Sequence, residues 1–172
     1  FSVFVIDQRN HGQSPQSDDF NYGLLTEDLH DFILEHQLED PIILGHSMGG
    51  KAAMNFAVHY PQLLSNLIVV DMVPKAYPVH HDKILEGLKS IPLDQLNGRA
   101  EADTQLARFV PENDVRQFLL KNLARKSSGG FEWRINLKAI DEHIEALGVD
   151  LLYSGKYDGP ALFIKGKKSH YY

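Results

Sequence analysis

Cysteine is absent from the 172 residues, which excludes a disulfide framework, thiolate catalysis and any thiol metal site. Long apolar runs are lacking too. Stretches such as Leu67 to Val70 fall far below the roughly 18 residues of a membrane-spanning helix, and no signal-peptide pattern opens the chain. Positive charge is in deficit: 17 Lys and Arg face 23 Asp and Glu, a formal net charge of −6, with no basic stripe interleaved with aromatics. That balance argues against nucleic acid and acidic membrane surfaces as partners. A small neutral or acyl substrate fits better, and the cytoplasm is the default compartment. Nine histidines raise the question of a metal. None stand at the His-x3-His spacing that sets two imidazoles on one helix face, and His80-His81-Asp82 lacks a third spaced ligand, so it reads as polar surface.

The remaining composition, 43% hydrophobic and 23% charged, is that of an ordinary globular protein able to bury one sizeable core. Residues 2 to 7 read as a continuous apolar strand of the kind covered on both faces in a parallel sheet. Between Tyr22 and Gln37, Leu25, Leu29, Phe32, Ile33 and His36 recur at helical spacing, and Asn21 offers an amino-terminal cap. A strand from Ile42 to Gly45, a helix from Gly50 to Tyr60 and a strand from Asn66 to Asp71 repeat the unit. Strands alternating with helices in this way imply a parallel α/β sheet with helices on both faces.

From Pro74 to about Gly155 the pattern turns to helical periodicity without a strand, and Pro160 to Gly166 then restores one. The expected organisation is a core part at 1–74, an inserted helical lid at 75–155 and a resuming core strand at 156–172. Phe1 already stands in a buried-strand pattern, and the chain stops one turn after its last strand. We therefore expect an internal segment of a longer protein, with amino- and carboxy-terminal parts of the fold missing.

The most informative segment is Gly45-His46-Ser47-Met48-Gly49-Gly50, set between the second strand and its following helix. A serine hydroxyl is a poor nucleophile at its free pKa. A protein that uses one must expose it at a sharp corner where a base and oxyanion donors can converge. Gly45 and Gly49 leave room for such a nucleophile elbow. The duller alternative is a turn whose serine caps the helix. Right-handed crossovers place Ser47 and Asp71 at the same carboxyl edge of the sheet, where open α/β sheets build their sites.

These residues resemble the α/β-hydrolase superfamily. Together with Asp7-Gln8-Arg9-Asn10-His11-Gly12-Gln13-Ser14, Trp133-Arg134-Ile135-Asn136 and Pro160 to Ile164, the elbow resembles more narrowly the small acyl esterases of the YbfF type. The resemblance implies that Ser47 is the nucleophile and that the triad acid is Asp71, at the end of the strand after the elbow helix. The loop that carries the acid in many such hydrolases reads Lys167-Lys168-Ser169-His170 here and holds no carboxylate. A carboxylate at the Asp71 position can orient a histidine and stabilise its imidazolium. The alternative is that Asp71 caps the loop entering the lid.

The resemblance places the base in a loop after the last strand, outside this chain, and His170 on the surface or capping a strand end. His46 is expected to pack beneath the elbow. One oxyanion donor would be the backbone N–H of Met48; the other belongs to a His-Gly loop that has no counterpart before Phe1. His11-Gly12 lies instead in a structural turn. Losing one donor costs on the order of 10²–10³ in rate, so these residues alone are expected to hydrolyse little. Trp133 either walls an acyl pocket or belongs to the lid core, Arg134 meets an anionic group or a surface ion pair, and Lys51 sits solvated on its helix.

The implied activity is serine hydrolysis of carboxylic esters or acyl thioesters, including acyl-coenzyme A-like ones, with no metal or organic cofactor. A C–C bond hydrolase on the same fold and a non-catalytic ligand-binding module are the rival readings.

Overall fold

The computed structural model describes residues 2–76, 82–149, 151–167 and 169. The expectations for His80, His81 and His170 lie outside them. The chain forms two compact units, one built from Asp19–Val79 with His143–Tyr172 and the other from Phe1–Asp18 with His80–Glu142. Residues 1–18 thus group with the insertion and residues 143–155 with the sheet.

In the sheet unit, three strands, β1 (Ile42–His46), β2 (Asn66–Val70) and β5 (Ala161–Ile164), run parallel in the order β1-β2-β5. Helix α1 (Tyr22–Glu35) precedes β1, and α2 (Met48–His59) crosses from β1 to β2. The cap expected of Asn21 is present, its side chain accepting from Leu24 N–H at 3.0 Å. Burial alternates along β1 and β2, so Ile43, Leu67 and Val69 point into a core with Ile33, Phe56 and Ala57. The other face shows Ile42, Leu44 and Leu162 about half exposed or more.

The helical unit contains α3 (Asp82–Ser90), α4 (Arg99–Leu106), α5 (Asn113–Leu119) and α6 (Leu137–His143). Its core gathers Leu88, Leu106, Leu120, Leu123 and Phe131. One expectation fails here. The insertion holds a two-stranded antiparallel hairpin, β3 (Leu123–Arg125) with β4 (Phe131–Trp133). Strands of three residues are too short for a period of two to emerge from the sequence, and Gly129 and Gly130, both at positive φ, make the turn.

Residues 2–7 also depart from expectation: they form no strand, and Val3 and Val5 are 80% and 94% exposed. β-Branched composition favours a strand only where a neighbour supplies the ladder. The turn that follows is nevertheless well held. Gln13 N–H donates to Asp7 Oδ2 at 3.0 Å and Ser14 Oγ to the Asp7 carbonyl at 2.6 Å. Gly12 suits this turn, because at φ 55° a Cβ would be strained and would sit 1.9 Å from Asp7 Oδ2, displacing the carboxylate that holds Gln13. Asn136 then ties together two segments 126 residues apart: its Nδ2 donates to Asn10 Oδ1 at 3.2 Å and to the Ser17 carbonyl at 3.0 Å. Its backbone N–H donates to the Asn10 carbonyl at 2.8 Å.

Candidate active site

The elbow is built by the abrupt change from β1 to α2 across the single residue Ser47, whose φ is 52° and ψ −120°. Such a conformation costs a non-glycine residue about 1–3 kcal/mol and persists only where its surroundings over-determine it. They do so here. Ser47 N–H donates to the Val70 carbonyl at 3.0 Å, and the Ser47 carbonyl accepts from Lys51 N–H at 3.1 Å. Gly45 lets the helix fold back onto the strand: a Cβ there would lie 2.2 Å from the Gly49 carbonyl oxygen. Gly50, the last residue of the same segment, brings the helix onto the sheet, with a Cβ position 3.1 Å from Val69 Cγ1.

Ser47 occupies the amino-terminal cap position of α2, yet its side chain makes no capping hydrogen bond. The turn therefore does not use this hydroxyl for its own stability. Met48 is the first residue of the helix, where a backbone N–H has no intrahelical acceptor and is free to face an anion.

Asp71 stands beside this corner. The last ladder pair is His46↔Val70, so Ser47 and Asp71 leave the sheet side by side, their backbones about 5 Å apart by strand spacing. Asp71 is itself at positive φ, 56°, a left-handed conformation that aspartate adopts more readily than most residues. Its N–H donates to the Ile164 carbonyl at 2.8 Å, and its Oδ1 accepts from Gly166 N–H at 3.0 Å. The Gly166 N–H first, then the Ser169 hydroxyl, hold the Asp71 carboxyl below the usual carboxylate range, with further help from His46 and Lys165. The loop that lacks an acid of its own thus supplies the donors that keep Asp71 ionised. Among the described residues no histidine hydrogen-bonds Asp71. Nothing in the sequence pointed to Gly166 or Ser169, which meet it only through the β2–β5 pairing.

Two further expectations fail, and a third residue is placed. His46 is exposed at the end of β1, not packed beneath the elbow, because strand alternation turns it away from the face that buries Gly45 and Ile43. Lys51 is 1% exposed, not solvated: its Nζ donates to the carbonyls of Lys75, at 2.6 Å, and Val149. Trp133 is half-buried against the core of the helical unit. The Lys51 ammonium joins the elbow helix to the segments on either side of the insertion. Asn55, one turn on, accepts from Leu152 N–H at 2.7 Å. Replacing Lys51 with methionine keeps the volume but removes the donor from two part-buried carbonyls, so we expect a loss of about 1–2 kcal/mol in urea unfolding. A loss under about 0.5 kcal/mol would show that these carbonyls find other donors.

The sequence profile of the alpha/beta hydrolase fold matches residues 1–171. The chain belongs to the alpha/beta hydrolase fold family. This alpha/beta hydrolase chain is 38% identical over 175 residues to a zebrafish (Danio rerio) protein named sn-1-specific diacylglycerol lipase ABHD11, covering 98% of the chain and 55% of that protein. It is 31% identical over 172 residues to Esterase YbfF of Escherichia coli strain K12, covering 99% and 65%. A solved structure described as a marine microorganism esterase matches at TM-score 0.92 and 41% identity, over 96% of this chain and 66% of that one. The chain spans between about half and two thirds of the length of these curated relatives. Among the described residues no helix is long and apolar enough to cross a membrane.

Proposed function

We propose that the complete protein hydrolyses carboxylic esters or acyl thioesters through an acyl-enzyme on Ser47. The observation that carries this reading is the strained, uncapped Ser47 at a strand-to-helix corner, flanked by an ionised Asp71 at the next strand end. Relatives named as an esterase and a lipase support an ester as the substrate.

In this reading a histidine from outside residues 1–172, oriented by the Asp71 carboxylate, takes the Ser47 proton as Oγ attacks the acyl carbonyl carbon. The carbonyl oxygen becomes an oxyanion facing the Met48 N–H. Collapse of that intermediate expels an alcohol or thiol, which takes the proton back from the imidazolium. Water, deprotonated by the same histidine, then releases the carboxylic acid and restores Ser47. No step requires a metal or organic cofactor.

The test is mass spectrometry of the full-length protein after treatment with a fluorophosphonate. The expected result is a single adduct on the peptide that contains Ser47. An unmodified Ser47 in folded protein would overturn the hydrolase reading and leave a ligand-binding module. Comparing kcat/KM for an ester and a thioester of the same acyl group then separates the two substrate classes.

A further inference from the structure

The helical unit carries a cleft of about 360 Å³ lined by Arg99, Lys121, Arg125 and Arg134, together with the hairpin residues Leu123 and Phe131. No carboxylate lines it, in a chain whose net charge is −6. Four other cations of the same unit have found acids, although Lys83 and Arg108 have not among the described residues. Arg116 pairs with Asp103 at 2.8 Å, Lys89 with Asp141 at 2.8 Å, Lys138 with Asp18 at 3.7 Å and Lys126 with Asp94 at 3.9 Å. The four cations of the cleft have no ion pair among the described residues.

Two of the four are held in place. Arg99 Nη2 donates to the Leu123 carbonyl at 3.0 Å, and the Arg125 guanidinium lies 4.7 Å from the centroid of the Phe131 ring. Arg134 follows β4 directly, and its backbone N–H is anchored on the Asn122 carbonyl at 2.8 Å. Residues from α4, the turn before β3 and both sides of the hairpin therefore bring like charges together over 35 positions of sequence, against their mutual repulsion. Guanidinium groups fixed in advance lose little freedom on binding, and their planar forks match the oxygens of a phosphate.

We propose that this cleft binds a ligand through a phosphate group of two or more negative charges. Four cations exceed what a single carboxylate would neutralise, and the room available admits a diphosphate. The site lies wholly within the helical unit and does not depend on the chemistry assigned to Ser47.

Isothermal titration of the full-length protein with inorganic pyrophosphate tests it, at low and at raised salt. The expected result is saturable, salt-sensitive binding, weakened about tenfold or more by R125Q combined with R134Q and retained in the control K89Q. A second pair, K121Q with R134Q, guards against a folding defect, and an unchanged Tm certifies each variant. Sedimentation with phosphatidylcholine vesicles, with and without phosphatidic acid, distinguishes the source of the phosphate. Binding to the acidic vesicles that the same variants abolish would assign a lipid headgroup, and pyrophosphate binding without it a soluble ligand. Binding to neither probe, or binding that both folded double variants keep, would overturn the proposal.

Discussion

Replacing Ser47 with alanine is expected to lower ester hydrolysis by the full-length protein by about 10⁵–10⁶-fold in kcat, with Tm unchanged. The size follows from the loss of the nucleophile itself, since the oxyanion donor and the binding surface left behind supply only residual acceleration. Stability should hold because alanine keeps the same Cβ at the same φ of 52°, and the serine hydroxyl caps nothing. A helix-capping serine would behave in the opposite way, losing about 1 kcal/mol of stability and little activity. Steady-state kinetics on a chromogenic ester together with thermal unfolding therefore separate the two roles in one variant. Retained hydrolysis in S47A would sink the assignment of the nucleophile.

The second large effect is expected for Asp71→Asn: a fall of about 10⁴-fold in kcat with the fold intact. Asparagine retains an oxygen to accept from the Gly166 N–H, so the strand-end geometry survives. What disappears is the negative charge that orients and stabilises an imidazolium. Because the Gly166 N–H, followed by the Ser169 hydroxyl, depresses the Asp71 pKa, the carboxylate is charged across the whole neutral range. Titration of Asp71 itself should accordingly add no pH dependence to the rate difference between wild type and variant from about pH 6 to pH 9.

Linkage fixes the stability side. A depressed native pKa stabilises the fold above the unfolded carboxylate pKa of about 3.9, and that contribution disappears as pH falls through the lower native value. The gap in stability between wild type and D71N should therefore close in acid. A kcat within tenfold of wild type would demote Asp71 to a residue that only ends its strand.

Short-range features of this protein were readable from its residues. The glycines around Ser47, the apolar run before it and the small residues after it predict the elbow, because a sharp strand-to-helix corner is enforced by neighbours within five positions. Asn21 capping α1 and the pairing of strands by alternate βαβ units are legible for the same reason. Asp71 was visible as an acid at a strand end. Its positive φ was not, nor were its donors: Gly166 and Ser169 lie more than 90 positions away and arrive only when β5 aligns on β2.

The expectations that failed share one cause. Residues 2–7 have strand composition, but a strand is a relation between two segments, and composition cannot supply the second. Lys51 looked solvated because charge favours water; it is buried because two carbonyls from Lys75 and Val149 replace that water. The sequence by itself determined the family and the elbow, and placed an aspartate at the neighbouring strand end, through local backbone sterics and strand–helix alternation. Tertiary structure alone decided which polar groups meet, namely the clasp on Lys51, the donors on Asp71 and the four cations of the hairpin cleft, since hydrogen bonds and charges act over a few ångströms of space and are indifferent to distance along the chain.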